Sequence, residues 1–140
     1  MITIILLFFL IILILLSGFL SGSETAITAT SKARIIYQKK KGSKRAGYVL
    51  KLLDKKDNVI STLLLSNNLV NILASSLATA FFYDIFGVEG IFYATLLMTI
   101  VIVIFAEVLP KTYALNRPNR TALLISPIIY YLNKLLFVFV

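Results

Sequence analysis

Residues 1–20 read MITIILLFFLIILILLSGFL, and only one threonine, one serine and one glycine interrupt this apolar run. A helix of about 20 residues, rising about 1.5 Å per residue, crosses a hydrocarbon layer of about 30 Å. A secretory signal peptide has a basic segment ahead of its apolar one, whereas the first basic residue here is Lys32. We therefore interpret residues 1–22 as a retained membrane-spanning helix.

The composition of the whole chain supports this interpretation. Of its 140 residues, 59% are hydrophobic and 14% are charged, and the mean hydropathy is +0.95. Soluble domains carry about 25% charged residues, so membrane lipid is the expected surrounding. The absence of cysteine and histidine excludes disulfides, thiolate metal sites and histidine bases, which predicts a protein that is not an enzyme.

The distribution of basic residues predicts the topology. Two further apolar stretches, 58–83 and 88–113, are joined by a short turn at 84–87. Ten of the fourteen lysines and arginines lie within 32–56. By the positive-inside rule this segment is cytoplasmic and the N-terminus lies outside. The net charge of +8 therefore indicates a membrane surface, and no nucleic acid is expected as a partner.

The remaining segments, 24–56 and 119–140, are predicted to be juxtamembrane. Apolar positions among the cations of 24–56 indicate two short interfacial helices. The segment 119–140 contains Pro127, Asn133 and Lys134, and a charge at the bilayer centre is costly, so we predict an amphipathic helix instead of a fourth span. The predicted fold is an all-α integral membrane protein with three transmembrane helices plus juxtamembrane amphipathic helices. We also expect a further cytoplasmic portion downstream of the apolar run that closes the sequence.

Polar residues cluster at three places in the apolar segments, and the first cluster is Ser21–Thr25. Ser21 and Glu24 match a capping box, which predicts that a new helix begins at Ser21. If the first span ends near Gly18, its unpaired carbonyls and the hydroxyls of Ser21 and Ser23 meet at membrane depth. Oxygen atoms placed in this way suit a hard cation.

The second cluster begins at Ser66 and holds three asparagines within five positions. Helical spacing places four polar side chains within about 80° on one face, with Asn67 at its flank. Such groups can simply join neighbouring helices, and this alternative applies best to the serines and the threonine. Amide oxygens are also neutral ligands for a hard cation. The predicted polar face consists of Asn68, Asn71, Ser75 and Thr79.

The third cluster contains Glu107 and Pro110. Glu107 follows a long apolar run, where a carboxylate must either reach the interface, pair with Lys111 or meet a cation. We favour a bound cation. Pro110 has no N–H, so in an α-helix the carbonyl of Ala106 loses its partner and becomes a further oxygen donor. Together, the three clusters predict a calcium or magnesium site.

Three phrases in these clusters resemble the signatures of a known family. LSGSETA at 20–26, SNNLVNI at 66–72 and AEVLPK at 106–111 are similar to the transmembrane domain of the CNNM/CorC magnesium transporters. The resemblance covers essentially the whole chain. It implies a homodimer in a bacterial inner (plasma) membrane that exports Mg²⁺, with Na⁺ influx as the proposed driving gradient. Members of this family continue into a cytoplasmic pair of CBS motifs. ATP would act only through that cytoplasmic part.

The resemblance also implies which residues bind the transported ion. Many members of the family carry glycine at the position of Ser66. On an ideal helix the side chain of Ser66 also points away from Asn68. The implied metal ligands are Ser21, Ser66, Asn67, Asn71 and Glu107, with Ser23, Asn68 and Ser75 as second choices and Pro110 as a hinge.

Two other classes of function compete with transport. The first is a non-transporting dimeric membrane anchor and sensor that regulates another magnesium transporter, in which the polar residues only hold the spans together. The second is an intramembrane hydrolase with a serine nucleophile. This class is disfavoured because no histidine exists and no cation occurs at membrane depth before Lys111.

Overall fold

The computed structural model describes residues 2–136, and in this part of the chain helices joined by short turns account for the fold, with no strand. The all-α prediction is therefore confirmed. The helices are α1 (Ile2–Ala29), α2 (Lys32–Lys40), α3 (Lys44–Asp54), α4 (Lys56–Phe86), α5 (Glu89–Val101), a π-helical segment (Ile102–Val108), α6 (Leu109–Asn116) and α7 (Pro118–Leu136).

Three helical stretches in the described residues are long and apolar enough to cross a membrane: Ile2–Ala29, Lys56–Phe86 and Glu89–Asn116. In hydrocarbon a helix satisfies its backbone groups internally, so large apolar side chains can cover its outer surface. Leu15 and Leu69 are examples, at 68% and 66% exposed. The prediction of three spans is confirmed, whereas the homodimer and the sidedness stay predictions.

The first span differs from its prediction because α1 does not break at Ser21. The helix continues through the predicted capping box to Ala29, about two turns beyond residue 22. The hydroxyl of Ser23 donates to the carbonyl of Phe19 at 2.7 Å, within the same helix. The capping-box prediction was wrong because these serines lie inside an unbroken helix, where tertiary packing overrides the local signal.

The turn between the second and third spans is also shorter than predicted. Helix α4 continues to Phe86, and the turn is formed by Gly87 and Val88. Gly87 has a φ of 72°, a conformation that glycine adopts without a steric penalty. The rings of Phe82 and Phe86 stack with their centres 5.9 Å apart, on the last turn of the extended helix.

Helix α1 lies at the centre of the molecule, packed against α4 on one side and against the π-helical segment and α6 on the other. It runs antiparallel to α4. Leu10 packs with Ala74 and Ala78, and towards the other end Ile27 packs in the same cluster as Val59. Small residues at these contacts allow the backbones to approach closely.

Helices α2, α3 and α7 form a layer at the Ala29 end of α1, which we call the juxtamembrane layer. The Ser43 hydroxyl caps α3 by accepting from the N–H of Ala46 at 3.3 Å. The side-chain oxygen of Asn119 accepts from the Thr30 hydroxyl at 2.6 Å and from the N–H of Ser31 at 2.8 Å. These bonds fix the beginning of α7 against the link between α1 and α2.

Candidate metal centre

A hydrogen-bonded set of four polar side chains lies between α1 and α4. The Ser17 hydroxyl is 2.7 Å from Oδ1 of Asn67 and also contacts Oδ1 of Asn71. The amide nitrogen of Asn67 donates to the hydroxyl of Ser21 at 3.0 Å. Ser17, Ser21 and Asn67 are buried, and Asn71 is half-buried. We call these four residues the intramembrane polar cluster.

Neutral polar groups from two spans converge in this cluster. The Ser17 hydroxyl lies between the amide groups of Asn67 and Asn71, and the Asn67 amide also reaches the Ser21 hydroxyl. Buried hydroxyl and amide groups can bond to one another between helices, and their oxygen atoms are also neutral ligands for a hard cation. The chemistry of the cluster therefore fits a cation site as well as a contact between helices.

The cluster lies well inside the apolar layer. At about 1.5 Å per residue, Ser17 is roughly 22 Å along α1 from Ile2 and roughly 18 Å from Ala29. Asn67 is roughly 16 Å from Lys56, where α4 begins. Both helices therefore place the cluster nearer to the juxtamembrane layer than to the opposite surface.

The third span changes its hydrogen-bond register beside this cluster. In the π-helical segment the N–H of Leu109 donates to the carbonyl of Ile104, five residues earlier. In that register the next carbonyl, on Phe105, would receive the N–H of residue 110, which is Pro110 and has none. This register thus leaves the Phe105 carbonyl without an N–H partner in the helix, and the predicted free carbonyl of Ala106 stays a prediction.

Gly18 brings this freed carbonyl against α1. A Cβ atom at position 18 would lie 3.3 Å from the carbonyl oxygen of Phe105 and 3.2 Å from Cγ of Pro110. Glycine therefore permits a contact that a larger residue would push apart. The Phe105 oxygen consequently lies against the residue that follows Ser17.

Glu107 lies two residues after Phe105 in the π-helical segment and is half-buried. Within residues 2–136, no ion pair joins it to Lys111 and no group of three or more acidic, histidine or cysteine side chains surrounds it. Among the described residues no hydrogen bond joins Glu107 to the intramembrane polar cluster, so its place in a shared site stays a prediction. A cation site here would combine one negative charge with neutral oxygens, a donor set that suits Mg²⁺ or Ca²⁺ better than Zn²⁺.

The structure divides the predicted site residues into two groups. Ser21, Asn67 and Asn71 meet in the intramembrane polar cluster, whereas Ser66 is half-buried and takes no part in its hydrogen bonds. Ser23 bonds within α1. Ser75 lines a cavity of about 320 Å³ between α4 and α5, together with Thr79, Thr95 and Thr99.

The predicted polar face of α4 included Asn68 and placed Asn67 at its flank. In the structure Asn67 is buried and Asn68 is exposed, so the inward face is rotated by about one residue. The face of α4 that packs inward is set by its apolar residues, and Asn67 falls in line with them at spacings of three and four. The buried residues on this face are Val59, Leu63, Asn67, Val70, Ala74 and Ala78.

Two features of this site were not predicted from the sequence. Ser17 contacts both Asn67 and Asn71. Its position four residues before Ser21, on the same face of the helix, could have predicted that it belongs to the site. The π-helical segment had no clear signal, because its residues also fit an α-helix.

These features define a class of protein: a helical membrane domain with neutral oxygens buried between two spans and a proline-interrupted third span. Residues 8–140 match the family described as the Cyclin M transmembrane N-terminal domain, CNNM. The chain therefore belongs to the CNNM family, as the three phrases predicted.

Several curated proteins are similar to this chain. The UPF0053 inner membrane protein YfjD of Escherichia coli (strain K12) is 39% identical over 131 residues, covering 86% of this chain and 31% of that protein. A UPF0053 protein of Haemophilus influenzae is 38% identical over 124 residues, covering 89% and 30%. A putative DUF21 domain-containing chloroplastic protein of Arabidopsis thaliana is 31% identical over 124 residues, covering 87% and 18%. The chain thus spans less than a third of the length of these relatives.

Proposed function

We propose that this chain is the membrane domain of a Mg²⁺ exporter, in which the ion is held between the three spans. The observation that carries this proposal is the meeting of four polar side chains between α1 and α4 at membrane depth: Ser17, Ser21, Asn67 and Asn71. Polar groups that cluster inside a membrane line an ion path or a contact between helices, and we favour the ion path.

The proposed ligands come from all three spans. The hydroxyl of Ser21 and the amide oxygens of Asn67 and Asn71 would coordinate the ion from α1 and α4. The third span would supply the carboxylate of Glu107 and the freed carbonyl of Phe105. Mg²⁺ gives up its water reluctantly, so several fixed dipoles are needed to replace that hydration. A single carboxylate leaves the bound ion with a net positive charge, which favours release as well as binding.

A path to these ligands is proposed along α4. Oδ1 of Asn58 and Oγ1 of Thr62 are buried without a hydrogen-bond partner in the part of the chain that the structure describes, and they lie one turn apart between the juxtamembrane layer and the cluster. Oxygens of this kind can replace water around a passing ion. Beyond the cluster, Ser75 and Thr79 continue the polar surface towards the opposite side of the membrane.

The test of this proposal is Mg²⁺ flux into proteoliposomes that enclose a Mg²⁺-sensitive dye. We expect Glu107→Gln to reduce the flux by about tenfold or more, because interactions with a charged group are worth about 1.5–3 kcal/mol. Glu89→Gln is the matched control, since Glu89 is exposed at the start of α5 and away from the cluster. Repeating the assay with an opposing Na⁺ gradient tests whether Na⁺ drives the movement.

The outcomes separate transport from its main alternative. Unchanged flux in the Glu107→Gln protein would overturn the assignment of the ligand. A wild-type chain that carries no flux and gains no thermal stability from Mg²⁺ would favour the dimeric anchor and sensor, because polar residues that only hold the spans together bind no ion, whereas a bound ion raises thermal stability by mass action.

A further inference from the structure

A cavity of about 290 Å³ lies between α3 and α7 in the juxtamembrane layer, away from the intramembrane polar cluster. Its wall carries three lysines and one carboxylate, that of Asp54, so its charge is strongly positive. Such a cavity at a membrane surface favours an anion. The three lysines are Lys51, Lys55 and Lys134.

The same cavity is lined by a buried amide that lacks a hydrogen-bond partner. Asn133 is 8% exposed, and its Oδ1 atom accepts no hydrogen bond from any residue within 2–136. Leaving such an atom unsatisfied costs about 1–3 kcal/mol, which a donor supplied by a ligand would recover. The cavity therefore offers positive charge for an anion and, beside it, an acceptor for a hydroxyl.

Lys51 is held in place by aromatic rings. Its ammonium group lies 5.3 Å from the ring centre of Tyr130 and 5.8 Å from that of Tyr48. The two rings are themselves 5.2 Å apart. The Tyr48 hydroxyl is 3.5 Å from that of Tyr131, and this hydrogen bond raises the pKa of Tyr131, which stays neutral. The lysine is therefore positioned before any ligand arrives.

The outer face of α7 indicates that the ligand is a lipid. Leu124, Ile128, Tyr131 and Leu135 are 51–68% exposed and follow one another at spacings of three and four residues. They form an apolar stripe along a helix whose opposite face is packed on the protein. A helix of this kind lies in the membrane interface, with its apolar side among acyl chains.

We propose that this cavity binds the phosphodiester of an anionic glycerophospholipid whose headgroup carries a free hydroxyl, with phosphatidylglycerol as the matching chemistry. Lys51 and Lys134 contact the phosphate, Asn133 accepts from the headgroup hydroxyl, and the acyl chains lie along the stripe on α7. The site shares no residue with the proposed Mg²⁺ ligands and does not depend on transport.

The experiment is native mass spectrometry of the full chain in detergent, titrated with phosphatidylglycerol and with zwitterionic phosphatidylcholine. We expect one phosphatidylglycerol to bind in preference, and the double substitution Lys51→Gln/Lys134→Gln to weaken it by about thirtyfold, the factor for two lysines at an anionic surface. Lys39→Gln/Lys40→Gln is the control, because it removes the same charge from exposed positions on α2. Equal losses in the two double variants would overturn the site and indicate diffuse attraction.

Two further arms test the hydroxyl contact and the source of the phosphate. Phosphatidylmethanol has the same charge but no headgroup hydroxyl, so the wild-type chain should prefer phosphatidylglycerol and Asn133→Leu should lose that preference. Circular dichroism melting of the Asn133→Leu protein checks that it folds. Displacement of the lipid by equimolar glycerol 3-phosphate would overturn the lipid assignment and identify a site for soluble phosphate.

Discussion

Adjacent asparagines on α4 have opposite environments, since Asn67 is buried in the intramembrane polar cluster while Asn68 is exposed. If the cluster binds Mg²⁺, the ion raises the melting temperature by mass action. We expect Asn67→Ala to abolish this increase and Asn68→Ala to retain it. Thermal unfolding in detergent, with and without excess Mg²⁺, makes the comparison, and equal behaviour of the two variants would contradict the location of the site.

The two glycines of α1 provide a second matched pair. Alanine is favoured over glycine inside a helix by about 1 kcal/mol, so both Gly→Ala changes gain the same helical preference. At Gly22 the added Cβ would meet Pro110 at an ordinary 3.5 Å, whereas at Gly18 it would crowd the Phe105 oxygen at 3.3 Å. We expect the Gly22→Ala protein to be more stable than the wild type. The free energy of unfolding of the Gly18→Ala protein should be lower than that of the Gly22→Ala protein by about 1–3 kcal/mol. Denaturation in mixed micelles measures the difference, and equal stabilities would contradict the close approach.

In helix α4, one substitution is expected to change stability and Mg²⁺ transport in opposite directions. Thr62 is buried and its hydroxyl has no hydrogen-bond partner among the described residues, so Thr62→Val keeps the shape of the side chain and removes an unsatisfied group. We expect this protein to be as stable as the wild type or more stable, and to carry less Mg²⁺. Melting temperature and proteoliposome flux are the two measurements.

Ser61→Ala is the control for this prediction, because Ser61 is an exposed neighbour on the same helix. Unchanged flux in the Thr62→Val protein would exclude Thr62 from the path of the ion. A large loss of stability would instead show that the hydroxyl has a structural partner.

The elements also show where local signals misled the prediction. The match of Ser21 and Glu24 to a capping box is real in the sequence, but α1 continues through it while it packs against α4 on the one hand and against the π-helical segment and α6 on the other. The π-helical register likewise occurs where the third span packs against Gly18, and the sequence of the segment alone fits either kind of helix.

For the whole molecule, the predicted topology can be tested by labelling single cysteines, because the chain has no cysteine of its own. Gln38 on α2 and Glu89 on α5 are exposed near opposite ends of the spans. By the positive-inside rule, a membrane-impermeant maleimide added to intact cells should label Glu89→Cys, and should label Gln38→Cys only after lysis. The reverse pattern would invert the topology, and with it the direction proposed for Mg²⁺.

The sequence by itself determined that the chain is helical, crosses a membrane three times and belongs to its family. Long apolar runs permit no other solution in lipid, and the three phrases are local in the chain. Only the tertiary structure decided which polar atoms meet. Three features depend on how α1 packs against its neighbours: the rotation of α4 that buries Asn67 and not Asn68, the contact of Ser17 with both amides, and the approach of the Phe105 carbonyl to Gly18. Helical periodicity defines a face, but the apolar packing between helices determines which residue of that face is innermost.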